Sequence, residues 1–252
     1  MMYSPRRVFK AIRWLLTGSP SQRRRVRQEL ARVSASLFGD YYISDDYKLW
    51  LEDRDFRKKY NELSPGNPYS MDRKFVLREF ARLVSNVPGA IAECGCYEGA
   101  SAWFMATELP DVPLYLFDSF AGLSSPTAED TALSENHFAW QAGDLTSPED
   151  KVTATLAGFS HVSLLKGWIP ERFGEVEDQS FRLVHIDVDL YEPTRDSIAF
   201  FYPRMSPGGV MIFDDYGMTS CPGAYKAVED YMLDRDEHIL HLPTGQGVVI
   251  KS

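Results

Sequence analysis

Two pairs of carboxylates stand late in this chain, Asp187-Val188-Asp189 and Asp214-Asp215, and each follows directly on an apolar run rich in branched residues. The first run is RLVHI and the second GGVMIF, with a stretch of helical spacing (Ile198, Phe201, Tyr202, Met205) and a Ser206-Pro207-Gly208-Gly209 turn between them. That is a strand-helix-strand unit. In an open parallel sheet, ligands sit at the carboxyl ends of the strands, which is where this unit places all four acids. Carboxylates that close repel one another and hold their protons unless a cation neutralises them. The set therefore reads as a divalent-metal site, and oxygen-only donors favour Mg²⁺, or Mn²⁺ or Ca²⁺, over zinc. Alternation puts Asp189 on the same side as Asp187, so it is a further candidate ligand. His185 reads as a buried strand residue, and its place beside Asp187 leaves a base role open. Asp214-Asp215 has a plainer alternative, capping whatever follows.

A second constellation precedes the first. AIAECGCYEGASAWFMATEL reads as a strand, a turn through Gly95 and Gly99, and a helix that Ser101 helps to start. Some twenty residues on, PLYLFDSF is a strand ending in Asp118, whose carboxylate can accept hydrogen bonds from both hydroxyls of a ribose. A glycine turn after one strand and an acid ending the next point to an adenosine-containing cofactor. The glycines could equally serve helix-strand packing, and Asp118 could be a solvated strand-end acid. G-K-[ST] is absent, which excludes a Walker loop.

The elements that must hold these residues follow in order. Met71 to Val84 is a helix with Phe75, Leu77, Phe80, Leu83 and Val84 on its apolar side, ended by Val87-Pro88-Gly89. Residues 121–161 are long for a connection, and Gly122, Ser124, Ser125, Pro126 and Thr127 suggest a mobile loop or lid. EDKVTATLAGF is a helix, and HVSLLKGW is the third strand, ending at Gly167-Trp168. A helix from Pro222 to Asp234 and the pair ILHLP and GQGVVIKS close the chain. The sum is an α/β fold, a doubly wound, mainly parallel, seven-stranded sheet whose last strand runs antiparallel.

Composition bounds the rest. At 252 residues and 44% hydrophobic content, the chain can bury one sizeable core. Cys94, Cys96 and Cys221 cannot all pair, which fits a reducing, cytoplasmic setting. No apolar run is long enough to span a membrane. The net charge of −9 is uneven, because residues 1–39 hold nine of the 27 basic residues and one of the 36 acids. An acidic body argues against nucleic acid as substrate. The basic head has an amphipathic pattern, with Val8, Phe9, Ile12, Leu15 and Leu16 on one side. It reads as an arm packing on its own domain or on a second copy, or as a peripheral contact with the inner face of a membrane through residues 1–35. We divide the chain into residues 1–69, a helical arm and cap, and residues 70–252, the α/β domain. Tyr41, Tyr42, Trp50 and Tyr69 could stack on a ligand, or only pack. His137, His161, His238 and His241 read as surface residues.

Taken together, AECGCYEGASAWFMA, FDSFAGL, LLKGW, HIDVDLYEPT and YPRMSPGGVMIFDDYG resemble the macrocin O-methyltransferase (TylF-like) family of S-adenosyl-L-methionine-dependent, metal-dependent sugar O-methyltransferases. The resemblance runs from Tyr69 to Lys251, and residues 1–40 have no counterpart in it. Cys96 stands where valine is usual and Ala100 where glycine is common. The resemblance implies a Rossmann-like methyltransferase fold and a sugar-containing acceptor. It implies that Glu93, Gly95, Cys96, Gly99 and Ser101 form the cofactor loop, that Asp118 and Ser119 contact the ribose, and that Gly167 and Trp168 lie near the adenine. Asp187, Asp214 and Asp215 would hold Mg²⁺, with Asp187 also the general base, and the protein would be a homo-oligomer. Asp189 is not carried over as a ligand. Two other readings stay open: a glycosyltransferase using Asp187-Val188-Asp189 as a D-x-D, and a non-catalytic scaffold at a membrane.

Overall fold

Strands covered by helices on both faces need apolar residues without alternation, and AIAEC, LYLF and FRLVHI are such runs. A computed structural model of the chain describes residues 5–19, 21–23, 25–27, 29–30, 33, 49–67, 70–131 and 139–252. The chain divides into two units, Met1–Glu52 and Asp53–Ser252. The first holds helix α1 (Pro5–Thr17) and the single turn α2 (Leu49–Glu52). In the second, α3 (Arg54–Leu63) and α4 (Met71–Leu83) lead into β1 (Ala90–Cys94), α5 (Ala100–Glu108) and β2 (Leu114–Asp118). Then come α6 (Glu149–Leu156), β3 (Val162–Lys166), β4 (Phe181–Ile186), α7 (Tyr191–Phe201) and β5 (Met205–Phe213). Helix α8 (Pro222–Met232), β6 (Leu240–His241) and β7 (Gly247–Ile250) complete it.

The seven strands lie in the order β3-β2-β1-β4-β5-β7-β6. Pairing from β3 through β5 is parallel, and β7 enters antiparallel between β5 and β6. Period-two alternation sorts the strand residues. Ala92, Cys94, Val184, Ile186, Met211 and Phe213 join the cluster that holds Phe201 of α7 and Val228 of α8. Ile91, Leu116, Leu183, Val210 and Ile212 join Leu77 of α4, Met105 of α5 and Val152 of α6 on the other face. Phe201 packs edge-on against Phe117, Phe173 and Phe181, with ring centroids 5.7, 4.9 and 5.0 Å away. Each large apolar side chain buried here contributes about 1.5–3 kcal/mol.

Three expectations are corrected. Leu83 is exposed, because the buried stripe of α4 is Lys74, Leu77, Arg78 and Ala81, an i, i+3, i+4, i+7 pattern from which Leu83 falls away. Ser206–Gly209 is not a free turn but the irregular first half of β5, where the register against β4 shifts and Gly208 takes a left-handed φ of 79°. Its ends are tied by the Gly208 N–H to the Lys251 carbonyl and by the Lys251 N–H to the Gly209 carbonyl, both at 2.8 Å. Helix α7 starts at Tyr191 and yields to a 3₁₀ turn at Tyr202–Arg204, where Pro203 has no N–H to continue it.

The loop after β2 is tied by hydrogen bonds in its described part. Leu123 exchanges backbone hydrogen bonds with Asp144 (2.8 Å) and Gly143 (2.9 Å). The buried Asp130 carboxylate accepts from the Thr127 N–H and hydroxyl (both 2.8 Å) and from the Tyr191 N–H at the start of α7 (2.7 Å). Tyr41, Tyr42, Tyr69 and His137 lie outside the described residues.

Candidate active site

The strand order reverses between β1 and β4, and a cavity of about 820 Å³ opens at the carboxyl ends of the strands on either side. Its walls include Gly95, Cys96 and Ser101 after β1, Asp118 and Ser119 after β2, Gly167 and Trp168 after β3, and Asp187, Asp189 and Asp215 after β4 and β5. Leu63 to Pro65 and Asn67, just after α3, form part of the rim, together with Arg73 and Lys74 of α4. Tyr60, wholly buried, holds that rim by its hydroxyl, which lies 2.8 Å from both the Asn67 carbonyl and Ser70 Oγ.

On the glycine side, Asp118 is an organiser. Its Oδ2 accepts from the backbone N–H groups of Cys96 (2.9 Å) and Tyr97 (3.0 Å), and its Oδ1 from Phe120 (2.8 Å), so one carboxylate joins the ends of β1 and β2. Gly95 is left-handed at φ 81°, and any Cβ there would collide with the Asp187 carbonyl oxygen. The cofactor turn and the acid turn thus touch through their backbones. Gly99 stands behind the wall, where its missing side chain makes room for Val152 of α6. It is also the N-cap of α5, without a side-chain cap, so Ser101 does not start that helix. The Ser119 hydroxyl donates to the Gly122 carbonyl and accepts from the Ala121 N–H, both at 3.1 Å. Gly167 donates its N–H to the Asp118 carbonyl at 3.0 Å, and Trp168 beside it is 41% exposed.

The four acids form two groups rather than one. His185, Asp187 and Asp214 offer donor atoms within 4.8 Å of one another, and Asp189, Asp215 and Cys221 do the same separately. Glu93 and His185 are opposite each other in register on β1 and β4, and both are fully buried. His185 Nδ1 lies 2.9 Å from Glu93 Oε1 and its Nε2 lies 3.2 Å from Asp214 Oδ1. Burial opposes the imidazolium, but the bonds to Asp214 and Glu93 outweigh it and hold His185 up at about 9. Asp214 Oδ1 also accepts from Gln246 Nε2 at 2.8 Å, while its Oδ2 is paired with Arg73 and lies 4.0 Å from Lys74 Nζ. Lys74 Nζ is 3.2 Å from Asp187 Oδ2. Burial alone would raise Asp214, yet Lys74, His185 and Arg73 hold it well below the carboxylate range.

The second group is compensated only weakly, by the charge of Arg73. Asp189 takes a left-handed φ of 59° and gives its N–H to Asp215 Oδ2 at 3.0 Å; Cys221 Sγ lies 3.5 Å from Asp189 Oδ1. Among the described residues, no Lys or Arg pairs with either carboxylate. Burial and the charge of Asp187 push Asp189 up to about 7, and burial with repulsion from Asp189 and Asp187 pushes Asp215 up as well. The division also tells against a D-x-D clamp, since Asp187 and Asp189 turn to different groups.

Sequence reading passed over Arg73, Lys74 and Gln246. A signal was present: two adjacent cations in the first turn of a helix, where the helix dipole disfavours positive charge, need acids nearby to offset it. Gln246 carried no signal, because only β7 lying beside β5 brings it to Asp214.

Comparisons with known proteins agree with this architecture. The chain is 31% identical over 159 residues to an 8-demethyl-8-(2,3-dimethoxy-alpha-L-rhamnosyl)-tetracenomycin-C 4'-O-methyltransferase of Streptomyces olivaceus, covering 59% of this chain and 60% of that protein. It is 29% identical over 158 residues to a demethyldecarbamoylnovobiocin O-methyltransferase of Streptomyces niveus, covering 58% and 59%. The matches thus span about three fifths of the length of these relatives. The solved structure of the O-methyltransferase NovP superposes with a TM-score of 0.61 at 26% identity, covering 75% of this chain and 84% of that one. The family profile described as Macrocin-O-methyltransferase (TylF) matches residues 57–244, nearly the whole unit that carries the sheet and the cavity, and the chain therefore belongs to that family.

Proposed function

We propose that the protein is an S-adenosyl-L-methionine-dependent O-methyltransferase acting on a sugar hydroxyl of a glycosylated acceptor, with a divalent cation at its carboxylates. One observation carries this reading: the glycine turn with Asp118 and the acids Asp187, Asp189 and Asp215 are walls of one cavity. Its volume of about 820 Å³ is within the range of small-molecule sites. The names of the relatives support glycosidic acceptors.

The residues fit both groups. Phe117, Trp168 and Ile169 give an apolar wall for an adenine, and Asp118 stands at its edge with Ser119, where a ribose would lie. S-adenosyl-L-methionine, when bound, supplies an electrophilic methyl group on its sulfonium. For the cation, the carboxylates of Asp187, Asp214 and Asp215 offer oxygen donors of the kind Mg²⁺ takes, beside the His185 imidazole and the Cys221 thiol, and the like-charge repulsion that raises Asp215 is what such an ion would relieve. Asp187 and Asp215, which line the cavity, would hold it together with Asp214 behind them, whose Oδ2 is shared with Arg73. Such an ion, when bound, stabilises a developing alkoxide.

The chain's own residues do the rest. Asp187 accepts the hydroxyl proton; Lys74 orients it through Oδ2, and no protein donor among the described residues engages its Oδ1. Gly95 lets the turn after β1 approach the Asp187 backbone, which fixes the two halves of the cavity relative to each other. Asp118 keeps the cofactor turn closed against β2. The test is a screen of labelled S-adenosyl-L-methionine against glycosides and glycan extracts, with and without a chelator. Transfer of label to a sugar oxygen that the chelator abolishes is expected. Transfer unaffected by the chelator would remove the cation, and binding of a nucleotide sugar with no binding of S-adenosylhomocysteine would remove the whole reading.

A further inference from the structure

The feature that the proposed reaction leaves unused is the first unit. Helix α1 carries Val8, Ile12 and Leu16 at i, i+4 and i+8, with Phe9 and Leu15 beside them on the same side. This face is not buried: Phe9 is 77% and Leu16 75% exposed, and Val8 and Ile12 are exposed too. Single exposed apolar residues are ordinary, but four on one side of a 13-residue helix form a contact surface. Lys10 falls on the opposite side, where its Nζ lies over the Trp14 ring at 4.6 Å, and Arg13, one turn after Phe9, flanks the apolar side. Exposed Arg23, Arg25 and Arg27 follow in helical residues close behind.

Charge decides what covers the face. Residues 1–39 have a balance of +8 and the rest of the chain −17. Two copies of α1 laid together by their apolar sides would bring rows of like cations alongside each other. A bilayer rich in anionic phospholipid accepts both features at once, with apolar side chains entering the acyl boundary while Lys and Arg stems rise to the headgroups. It repels the acidic remainder, which leaves this arm as the part able to face it.

We propose that residues 5–30 form a docking arm that seats α1 on an anionic phospholipid bilayer. The test is flotation of the full chain with vesicles of phosphatidylglycerol and phosphatidylcholine, against vesicles of phosphatidylcholine alone. The arm predicts at least about tenfold more protein on the anionic vesicles at low salt, falling as ionic strength rises. F9E/L16E should lower that binding about tenfold with the thermal unfolding of the whole protein unchanged. K10Q/R13Q, which keeps the apolar side, should lower it about fivefold or more and blunt the salt dependence. Wild-type protein that floats with neither kind of vesicle overturns the proposal. So does binding to both kinds alike, or a light-scattering dimer that F9E/L16E dissociates while no vesicle binding is seen.

Discussion

Two groups of acids, built from neighbouring positions on the same two strands, have opposite electrostatics. Asp187 and Asp214 are met by Lys74 and Arg73, and Asp214 also by the His185 imidazole, whose pKa their pairing raises. Asp189 and Asp215 share a buried place with a thiol and, among the described residues, no ion-paired cation; the charge of Arg73 offsets only part of their burial and repulsion. The first is ion-paired; the second is pushed toward its protonated form by burial and mutual repulsion. Residue type does not separate them, since all four acids are aspartates. The difference lies in what packs above: the first turn of α4 overhangs one group, and Cys221 ahead of α8 faces the other. A buried ion pair is retained only where its partners are all present, and a buried like-charge pair invites an ion or a proton.

The comparison can be broken at each of its parts. The largest effect is expected from Asp187→Ala, which should lower methyl transfer about 10²–10⁴-fold. Stabilisation by S-adenosylhomocysteine should survive in that variant, and loss of both would make Asp187 a structural residue. Lys74→Met removes one partner of the ion-paired group and should lower unfolding free energy in urea by about 3–5 kcal/mol, because Asp187 and Asp214 are left facing each other. Asp189→Asn, in the weakly compensated group, should cost nothing or stabilise, and a loss like that of Lys74→Met would erase the distinction.

Addition of Mg²⁺ to wild-type protein should raise the melting temperature by a few degrees, by mass action on the folded state. Asp215→Asn should abolish the rise, and a rise that persists in the variant would place the ion elsewhere. The smallest effect serves as a reference far from the cavity. Glu237 is held below its ordinary range chiefly by Lys251, and also by the Tyr202 hydroxyl. Its folded value being depressed, its stabilising contribution is present above the unfolded pKa of 4.5 and is lost as pH falls through the lower folded value. Glu237→Gln should therefore flatten the acid limb of the stability curve slightly; an unaltered limb would mean the pair is matched in the unfolded chain.

Much of this was legible in advance, for reasons that are local. The strands Ala90–Cys94, Leu114–Asp118 and Phe181–Ile186 are short apolar runs bounded by turn residues, and their ends deliver acids to one rim whatever the helices do. Ser101 as a helix start failed because a left-handed glycine can cap without a side chain. Leu83 failed because a stripe chosen by apolarity ignored that Lys74 and Arg78 could be buried by pairing. Lys74 meets Asp187 and Asp214, while Arg78 meets Asp53 at 2.8 Å and stacks on Phe56 and Phe75.

What the amino-acid sequence determined by itself was periodicity and punctuation, hence the doubly wound sheet, the glycine turn and the placing of aspartates at strand ends. Tertiary structure alone decided which aspartate is neutralised. Asp214 meets Arg73 from 141 positions away and Gln246 from 32, and a carboxylate's charge state in the interior is set by whichever dipoles and cations the packing brings within a few ångströms. No spacing along the chain encodes that distance.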